Sequence, residues 1–307
     1  MVNRAIITGA TGAVGTALIN ELISNGTEVL VFCRKGSARA NRIPAHPLVF
    51  VKYCDLDELE SVKNDTGKEY DVFYHFAWSG TTGASRNDMY LQNLNVKHAL
   101  DAVKAAVEFG CKTFIGAGSQ AEYGRVEGKL APDTPAFPEN GYGMAKLCAG
   151  QMTRILAEQL GIRHIWVRIL SVYGPGDGVQ SLVMTVINKL KAGETPECTK
   201  GEQLWDYLYS GDAATAFRLL AEKGVNGKTY VLGGGEVRPL AEYIRDIRDI
   251  VAPDAEIAFG AISYAPKQVM HLQADVSAIM DDVGWVAKTE FGDGIRNVLG
   301  DVNVLRK

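Results

Sequence analysis

The sequence predicts a doubly wound parallel α/β sheet followed by a smaller C-terminal α/β lobe, and three features carry that expectation. Short β-branched runs alternate with longer helical patterns through the first half. A glycine-rich run, Thr8-Gly9-Ala10-Thr11-Gly12-Ala13-Val14-Gly15, joins the first of those strands to the first helix. Past Tyr173-Gly174-Pro175-Gly176 the alternation loosens into shorter helices and isolated strands.

Taken in order, residues 4–7 read as a strand, about 14–25 as a helix and 28–32 as a second strand, which together form a βαβ unit. Residues 48–53, 72–76, 113–117 and 164–169 read as further strands, with helical patterns at about 91–109 and 142–160 between the later ones. A late strand is expected at 228–232. These spacings assign residues 1–170, with about 212–235, to the sheet domain, and 171–211 with 236–307 to the lobe. No repeat or long linker separates them, so they pack as one unit with a ligand cleft between.

Composition excludes several classes of function. At 307 residues, 47% hydrophobic and 22% charged, the chain reads as an ordinary globular protein. A net charge of −4 leaves no sequence-wide basic field, so neither nucleic acid nor an anionic membrane is an expected partner. The 5 cysteines form no Cys-x-x-Cys pair, which argues against a metal site or a disulfide framework. No stretch has the layout of a signal peptide and no apolar run approaches the roughly 20 residues that span a bilayer, so a cytoplasmic setting is expected.

Gly9, Gly12 and Gly15 follow a strand and open a helix, where glycine lets the backbone turn tightly and approach a pyrophosphate at the helix N-terminus. The alternative for such a loop is a tight turn alone. In this context Thr11, Ala13 and Val14 complete a Rossmann-type dinucleotide cradle. The carboxylate that normally meets the adenosine ribose of NAD is missing from Phe32-Cys33-Arg34-Lys35-Gly36-Ser37. Arg34 and Lys35 can pair with a 2′-phosphate, which favours NADP(H) over NAD(H); otherwise they are solvated loop cations. Asp55 and Leu56, just past the third strand, are placed to meet the adenine, or Asp55 caps the next turn.

Tyr142 and Lys146 stand four apart at the start of a helical pattern, so both project from one face. A nearby ammonium stabilises phenolate, which brings a tyrosine into the range of acid–base work. Ser119 lies just beyond a strand, at the sheet's carboxyl edge where ligands of open α/β sheets bind, and its hydroxyl can hold a reacting oxygen; otherwise it caps a turn.

With these motifs, together with Tyr74-His75-Phe76-Ala77, Asn95-Val96, Ser119 to Gly124, Arg168 to Pro175 and Gly284-Trp285, the sequence resembles the extended short-chain dehydrogenase/reductase family of nucleotide-sugar epimerases, dehydratases and ketoreductases. The resemblance covers nearly the whole chain. It implies that Tyr142 transfers the proton, Lys146 supports it and binds the nicotinamide ribose, and Ser119 holds the substrate oxygen. Ala77 and Val172 would flank the nicotinamide and Asn95 would hold the central helix near the site, although Asn95 also reads as a polar helix-surface residue. A homodimer through the two long helices is implied as well.

The family's 4,6-dehydratases carry an Asp-Glu pair directly after the hydroxyl residue; Gln120 and Ala121 stand there in this chain and cannot shuttle protons. The resemblance therefore implies either NADPH-dependent reduction of a nucleotide-linked 4-keto-deoxysugar, which Arg34 and Lys35 favour, or 4-epimerisation with tightly bound NAD. From another class, a non-catalytic NADP-sensing binding protein would use the same cradle. On the substrate side, Trp205 and Ala265 replace the two arginines that grip the diphosphate in the family, and Ser171 replaces its asparagine. Either Lys267 or Arg238 supplies the lost charge, or the substrate carries no nucleotide. Trp78 and Ser79, in Ala77-Trp78-Ser79-Gly80, and Gln120 complete the expected substrate residues; Trp78 and Trp205 either stack on a base or sugar or pack as lid and core.

Overall fold

The structure, a computed structural model, describes residues 1–300; residues 301–307 of the expected lobe lie outside the described residues. Seven parallel strands form the central sheet: β1 (Arg4–Thr8), β2 (Glu28–Cys33), β3 (Val49–Tyr53), β4 (Val72–His75), β5 (Thr113–Ser119), β6 (Arg163–Ile169) and β7 (Thr229–Leu232). Their spatial order is β7-β6-β5-β4-β1-β2-β3, so the chain reverses direction across the sheet between β1 and β4, as in a doubly wound fold.

Apart from the partly exposed edge strand β3, the strands are apolar on both faces because helices cover both. On one face Ala5, Ile7, Val29 and Val31 pack with α1 (Ala13–Ser24), through Leu18 and Leu22, and with α5 (Ser210–Lys223), through Phe217 and Leu220. On the other, Ile6, Leu30 and Phe73 meet Ala102, Val103, Ala106 and Ala157 from α2 (Met89–Glu108) and α3 (Gly141–Gln159). Alternate residues of β1 thus belong to different cores, the period-2 consequence of the pleat.

The C-terminal lobe has its own core, built by α4 (Leu182–Lys191), α6 (Leu240–Val251) and α8 (Phe291–Gly300), with Ile187, Tyr243, Ile247, Phe291 and Ile295 buried. A 4-stranded sheet of very short strands joins the lobe to the sheet domain, in the order Arg238–Pro239, Leu204–Trp205, His271–Ala274, Lys129–Leu130. Its last strand comes from the loop after β5, while α7 (Ser277–Val283) packs back against the central sheet's core through Ile279 and Val283. The chain therefore crosses between its two parts more often than its sequence pattern suggests.

Candidate active site

The site is assembled at the carboxyl ends of β1, β4 and β5. Gly9 follows β1 in the left-handed region at φ 73°, and a Cβ there would lie 2.6 Å from the backbone nitrogen of Ala77. A Cβ on Gly15 would strike the carbonyl oxygen of Gly9 and come within 2.7 Å of the Ala10 Cα. These close approaches require glycine and let α1 start hard against the sheet edge. Gly12 caps α1 without a side-chain bond, and no acidic residue stands in its first turn. The end therefore offers backbone N–H donors and the positive pole of the helix dipole to an anion, and the residues present fit a dinucleotide pyrophosphate. Thr11, Ala13 and Val14 lie in this turn; Ala77 backs onto it, its N–H donating to Thr8 Oγ1 at 3.3 Å. Val172 sits in the strand Ser171–Tyr173, paired with Leu208.

Asn140 caps α3, its Oδ1 accepting from the Gly143 N–H at 2.9 Å, while Asn87 Oδ1 accepts from the Gly141 N–H at 3.0 Å. Two amides thus clamp the turn that carries Tyr142. Ser119 ends β5 and caps the next turn: its Oγ accepts from the Ala121 N–H at 3.2 Å, and its own N–H donates to Glu122 Oε1 at 2.8 Å. Glu122 is 1% exposed and also accepts from Trp166 Nε1 at 3.0 Å and Arg168 Nε at 2.7 Å. Behind Ser119 lies a fully bonded buried ion pair, in which the Glu122 carboxylate anchors the serine backbone.

Burial pushes the Tyr142 phenol above its ordinary range; hydrogen bonding with Ser119 and the charge of Arg86 pull it back, and Glu122 pushes it up again. Lys146 Nζ donates to the Ala117 carbonyl at 2.6 Å and lies 3.8 Å from the centre of the Trp78 ring, against 5.9 Å from that of Tyr142. Burial pulls its ammonium down to about 7, with Glu122 opposing. Lys146 is therefore close to its midpoint at neutral pH rather than a permanent cation, a condition its spacing from Tyr142 did not reveal. Arg86, which no motif marked, stands with its guanidinium carbon 4.3 Å from the Tyr142 ring centre.

The loop after β4 is held by α2. Buried Asn95 accepts from the Ser79 N–H and donates to the Ser79 carbonyl, both at 2.9 Å, so it is a backbone clamp rather than a helix-surface residue. Gln92 accepts from Trp78 Nε1 at 2.8 Å and donates to Gly80 at 2.8 Å and Ser85 at 2.9 Å. Trp78 packs edge-on to Tyr142, with ring centres 6.2 Å apart.

At the outer end of the cradle, Arg34 and Lys35 are exposed just past β2. Asp55 Oδ1 accepts from the Leu56 N–H at 2.7 Å and Glu58 from the Asp55 N–H at 2.6 Å, so Asp55 caps the turn Leu56–Glu58. Arg42 bridges the cofactor loop to the lobe, donating to Thr11 at 3.3 Å and Gly176 at 2.6 Å. A cavity of 1180 Å³ opens beside Arg42 and Gly176 but touches none of Ser119, Tyr142 and Lys146. One of 240 Å³, walled by Arg86, Gln120 and Lys267, brings two of the expected substrate residues together and also touches none of the three. Two more, Trp205 and Ser171, are joined to each other, Trp205 Nε1 donating to Ser171 Oγ at 2.9 Å. Arg238 is engaged by Asp246 at 2.8 Å and the Tyr243 ring. Among the described residues no cluster of three or more His, Cys, Asp or Glu is arranged to hold a metal, and no helix is long and apolar enough to cross a membrane.

The family model for the NAD dependent epimerase/dehydratase family matches residues 5–233. The chain is 25% identical to the dTDP-4-dehydro-6-deoxyglucose reductase of Escherichia coli, over 98% of each protein. Its fold is similar to that of the UDP-glucose 4-epimerase of Thermotoga maritima, solved with UDP-glucose, at a TM-score of 0.86 and 20% identity over 99% of this chain and 100% of that one. RMD of Pseudomonas aeruginosa, complexed with NADPH, matches at a TM-score of 0.82 and 21% identity over 97% and 98%.

Proposed function

The chain belongs to the NAD-dependent epimerase/dehydratase family of enzymes, and on that premise we propose that it is an NADPH-dependent reductase of a nucleotide-linked 4-keto-deoxysugar, with Tyr142 as proton donor. The observation that carries the reading is the placement of Ser119 and Tyr142 together at the sheet edge beside the glycine cradle, with no second acid–base pair next to them. Removal of water needs such a pair. Gln120 and Ala121 occupy the turn after Ser119, and the nearby carboxylate, Glu122, is tied up by Arg168 and Trp166.

The pyrophosphate of the cofactor would lie over the N–H groups of Gly12, Ala13 and Val14, with Lys146 toward its nicotinamide ribose. When bound, the dinucleotide supplies the hydride. Ser119 Oγ holds the substrate's carbonyl oxygen, and Tyr142 passes its phenolic proton to that oxygen as charge develops there. Lys146, when protonated, and Arg86 lower the cost of the phenolate that remains. Similarity to the E. coli reductase along the full length of both chains supports a nucleotide sugar as substrate.

Arg34 and Lys35, with no acid beside them at the tip of β2, support NADP over NAD. Replacing Arg34 by Ala is expected to weaken NADPH binding about tenfold and leave NADH within twofold, measured by fluorescence titration; tighter NADH binding by the natural chain would overturn the preference. C4 epimerisation would use the same Tyr142 and Ser119, and one assay separates the readings. Nucleotide 4-keto-6-deoxysugars should drive NADPH oxidation. If they do not, while a nucleotide hexose equilibrates with its C4 epimer, the reductase reading fails. A homodimer through α2 and α3 and a cytoplasmic setting belong to this proposal; an apolar groove on those helices and five free cysteines support them.

A further inference from the structure

The spacing of Tyr142 and Lys146 implies that the lysine ammonium holds the phenolate left by proton transfer, yet the fold seats that ammonium elsewhere. Lys146 Nζ lies 3.8 Å from the centre of the Trp78 ring and donates to the Ala117 carbonyl at 2.6 Å, which leaves it 5.9 Å from the centre of the Tyr142 ring. Trp78 is fixed in turn by donation to Gln92 Oε1 at 2.8 Å, so the indole forms a rigid seat for the ammonium. Arg86 stands nearer, its guanidinium carbon 4.3 Å from the Tyr142 ring centre and its Nη1 donating to the Thr81 carbonyl at 3.1 Å. The turn that carries it, Gly83–Asn87, is bound to the helix that carries Tyr142. Asn87 Oδ1 accepts from the Gly141 N–H at 3.0 Å, and a Cβ on Gly141 would lie 3.0 Å from the Arg86 carbonyl oxygen. The bare glycine thus lets the Arg86 backbone close on α3 one residue before the tyrosine. From α2, Gln92 holds the same turn through the Ser85 carbonyl at 2.9 Å.

The other charges near the pair are spoken for. Glu122 is bonded to Arg168 at 2.7 Å, Arg125 to Glu139 at 2.8 Å, and buried His75, driven down to about 3, is neutral at ordinary pH. Lys267 lies across the small cavity that Arg86 lines. Burial raises the Tyr142 phenol, while a hydrogen bond with Ser119 and the charge of Arg86 lower it. A guanidinium keeps its charge throughout, whereas the Lys146 ammonium, which burial pulls down to about 7, is largely neutral above that value. We propose that Arg86 is a further catalytic residue of this chain, the principal counter-charge of the Tyr142 phenolate, and that Lys146, seated on Trp78, serves mainly the cofactor. In the step, the phenolic O–H bond breaks, the proton passes to the substrate's carbonyl oxygen, and the electron pair stays on the Tyr142 oxygen in the field of the guanidinium. The inference rests on the reading of Tyr142 as the proton donor.

A ring-difluorinated tyrosine placed at position 142 has an intrinsically more acidic phenol, which brings its ionisation into the range the fold tolerates and reports it by fluorine NMR in the full chain, with no substrate needed. Arg86→Gln should raise that midpoint by about 1 pH unit or more, and Arg86→Lys should recover about half of the rise or more. Lys146→Met should raise it by less than half as much as Arg86→Gln does. Should Arg86→Gln not fold, Lys146→Met still decides, because a rise of about 1 pH unit or more in that variant overturns the inference. In fluorescence titration with NADPH the order should reverse, Lys146→Met binding about fivefold more weakly or worse and Arg86→Gln staying within about twofold. A midpoint that follows Lys146 more than Arg86, or cofactor affinity that follows Arg86 more than Lys146, would overturn the inference. If Tyr142→Phe keeps its turnover with a nucleotide 4-keto-6-deoxysugar, the reading of Tyr142 fails instead, and the fluorine midpoints still tell which cation faces its phenol.

Discussion

At neutral pH the Lys146 ammonium is near its midpoint, because burial at 3% exposure pulls it down to about 7. In the unfolded chain lysine titrates near 10.4. Between those values the unfolded state binds the extra proton, so the contribution of this position to stability falls as pH drops from about 10 to about 7 and is flat below. Lys146→Met should therefore be more stable than the natural chain at pH 6, by a few kcal/mol in order of magnitude, and should lose that advantage by pH 10. Urea midpoints at the two values check it, and equal differences at both would sink it. Tyr142→Phe should lower turnover roughly 10²–10⁴-fold and leave cofactor affinity within threefold; a variant that retains turnover would remove Tyr142 from the chemistry. Ser119, Tyr142 and Lys146 were legible in the sequence because neighbours in the chain or one helical turn bring them to an edge. Arg86 and the Glu122–Arg168 pair were not, since only the folded sheet brings residues 86 and 142, or 122 and 168, together.

Among the elements, the strands of the central sheet and the helices α1, α2 and α3 were readable to within one or two residues, because each carries a periodic set of side chains, whereas α4, α5, α6 and α8 were given no bounds. β5 runs on to Ser119, two residues past the expected end, because Gly118 and Ser119 keep pairing with Arg168 and Ile169. The short strands that attach the lobe were invisible: segments such as Leu204–Trp205 and Arg238–Pro239 have no room for a period and exist only through their partners. The loop after β4 is tied down from α2, where Asn95 and Gln92 supply five of its side-chain bonds. Asn95→Ala should leave the Ser79 N–H and carbonyl unpaired, at a cost of about 1–3 kcal/mol. Hydrogen exchange at residues 79–87 should then accelerate at least tenfold while α2 itself stays protected, and unchanged exchange would show that the clamp carries no weight.

For the molecule as a whole, the outer faces of α2 and α3 leave Met152 45% and Ile155 44% exposed around a groove of 610 Å³ that Leu100 and Leu156 also line. Exposed apolar surface of this kind on two adjacent helices is what a second copy would cover. Ile155→Arg should shift the mass in solution from dimer to monomer at micromolar concentration without changing the fold, and a natural chain that scatters as a monomer would dispose of the dimer. The sheet order carries a further consequence, one of timing. β7 pairs with β6 only after the chain has left the sheet at Ile169 and returned at Thr229. Strands β1 to β6 are therefore complete on a growing chain well before β7, and the strand that pairs with Trp166 to Ile169 waits for residues made much later. During synthesis that edge of β6 is an open row of backbone donors and acceptors, a template for wrong pairing until β7 arrives.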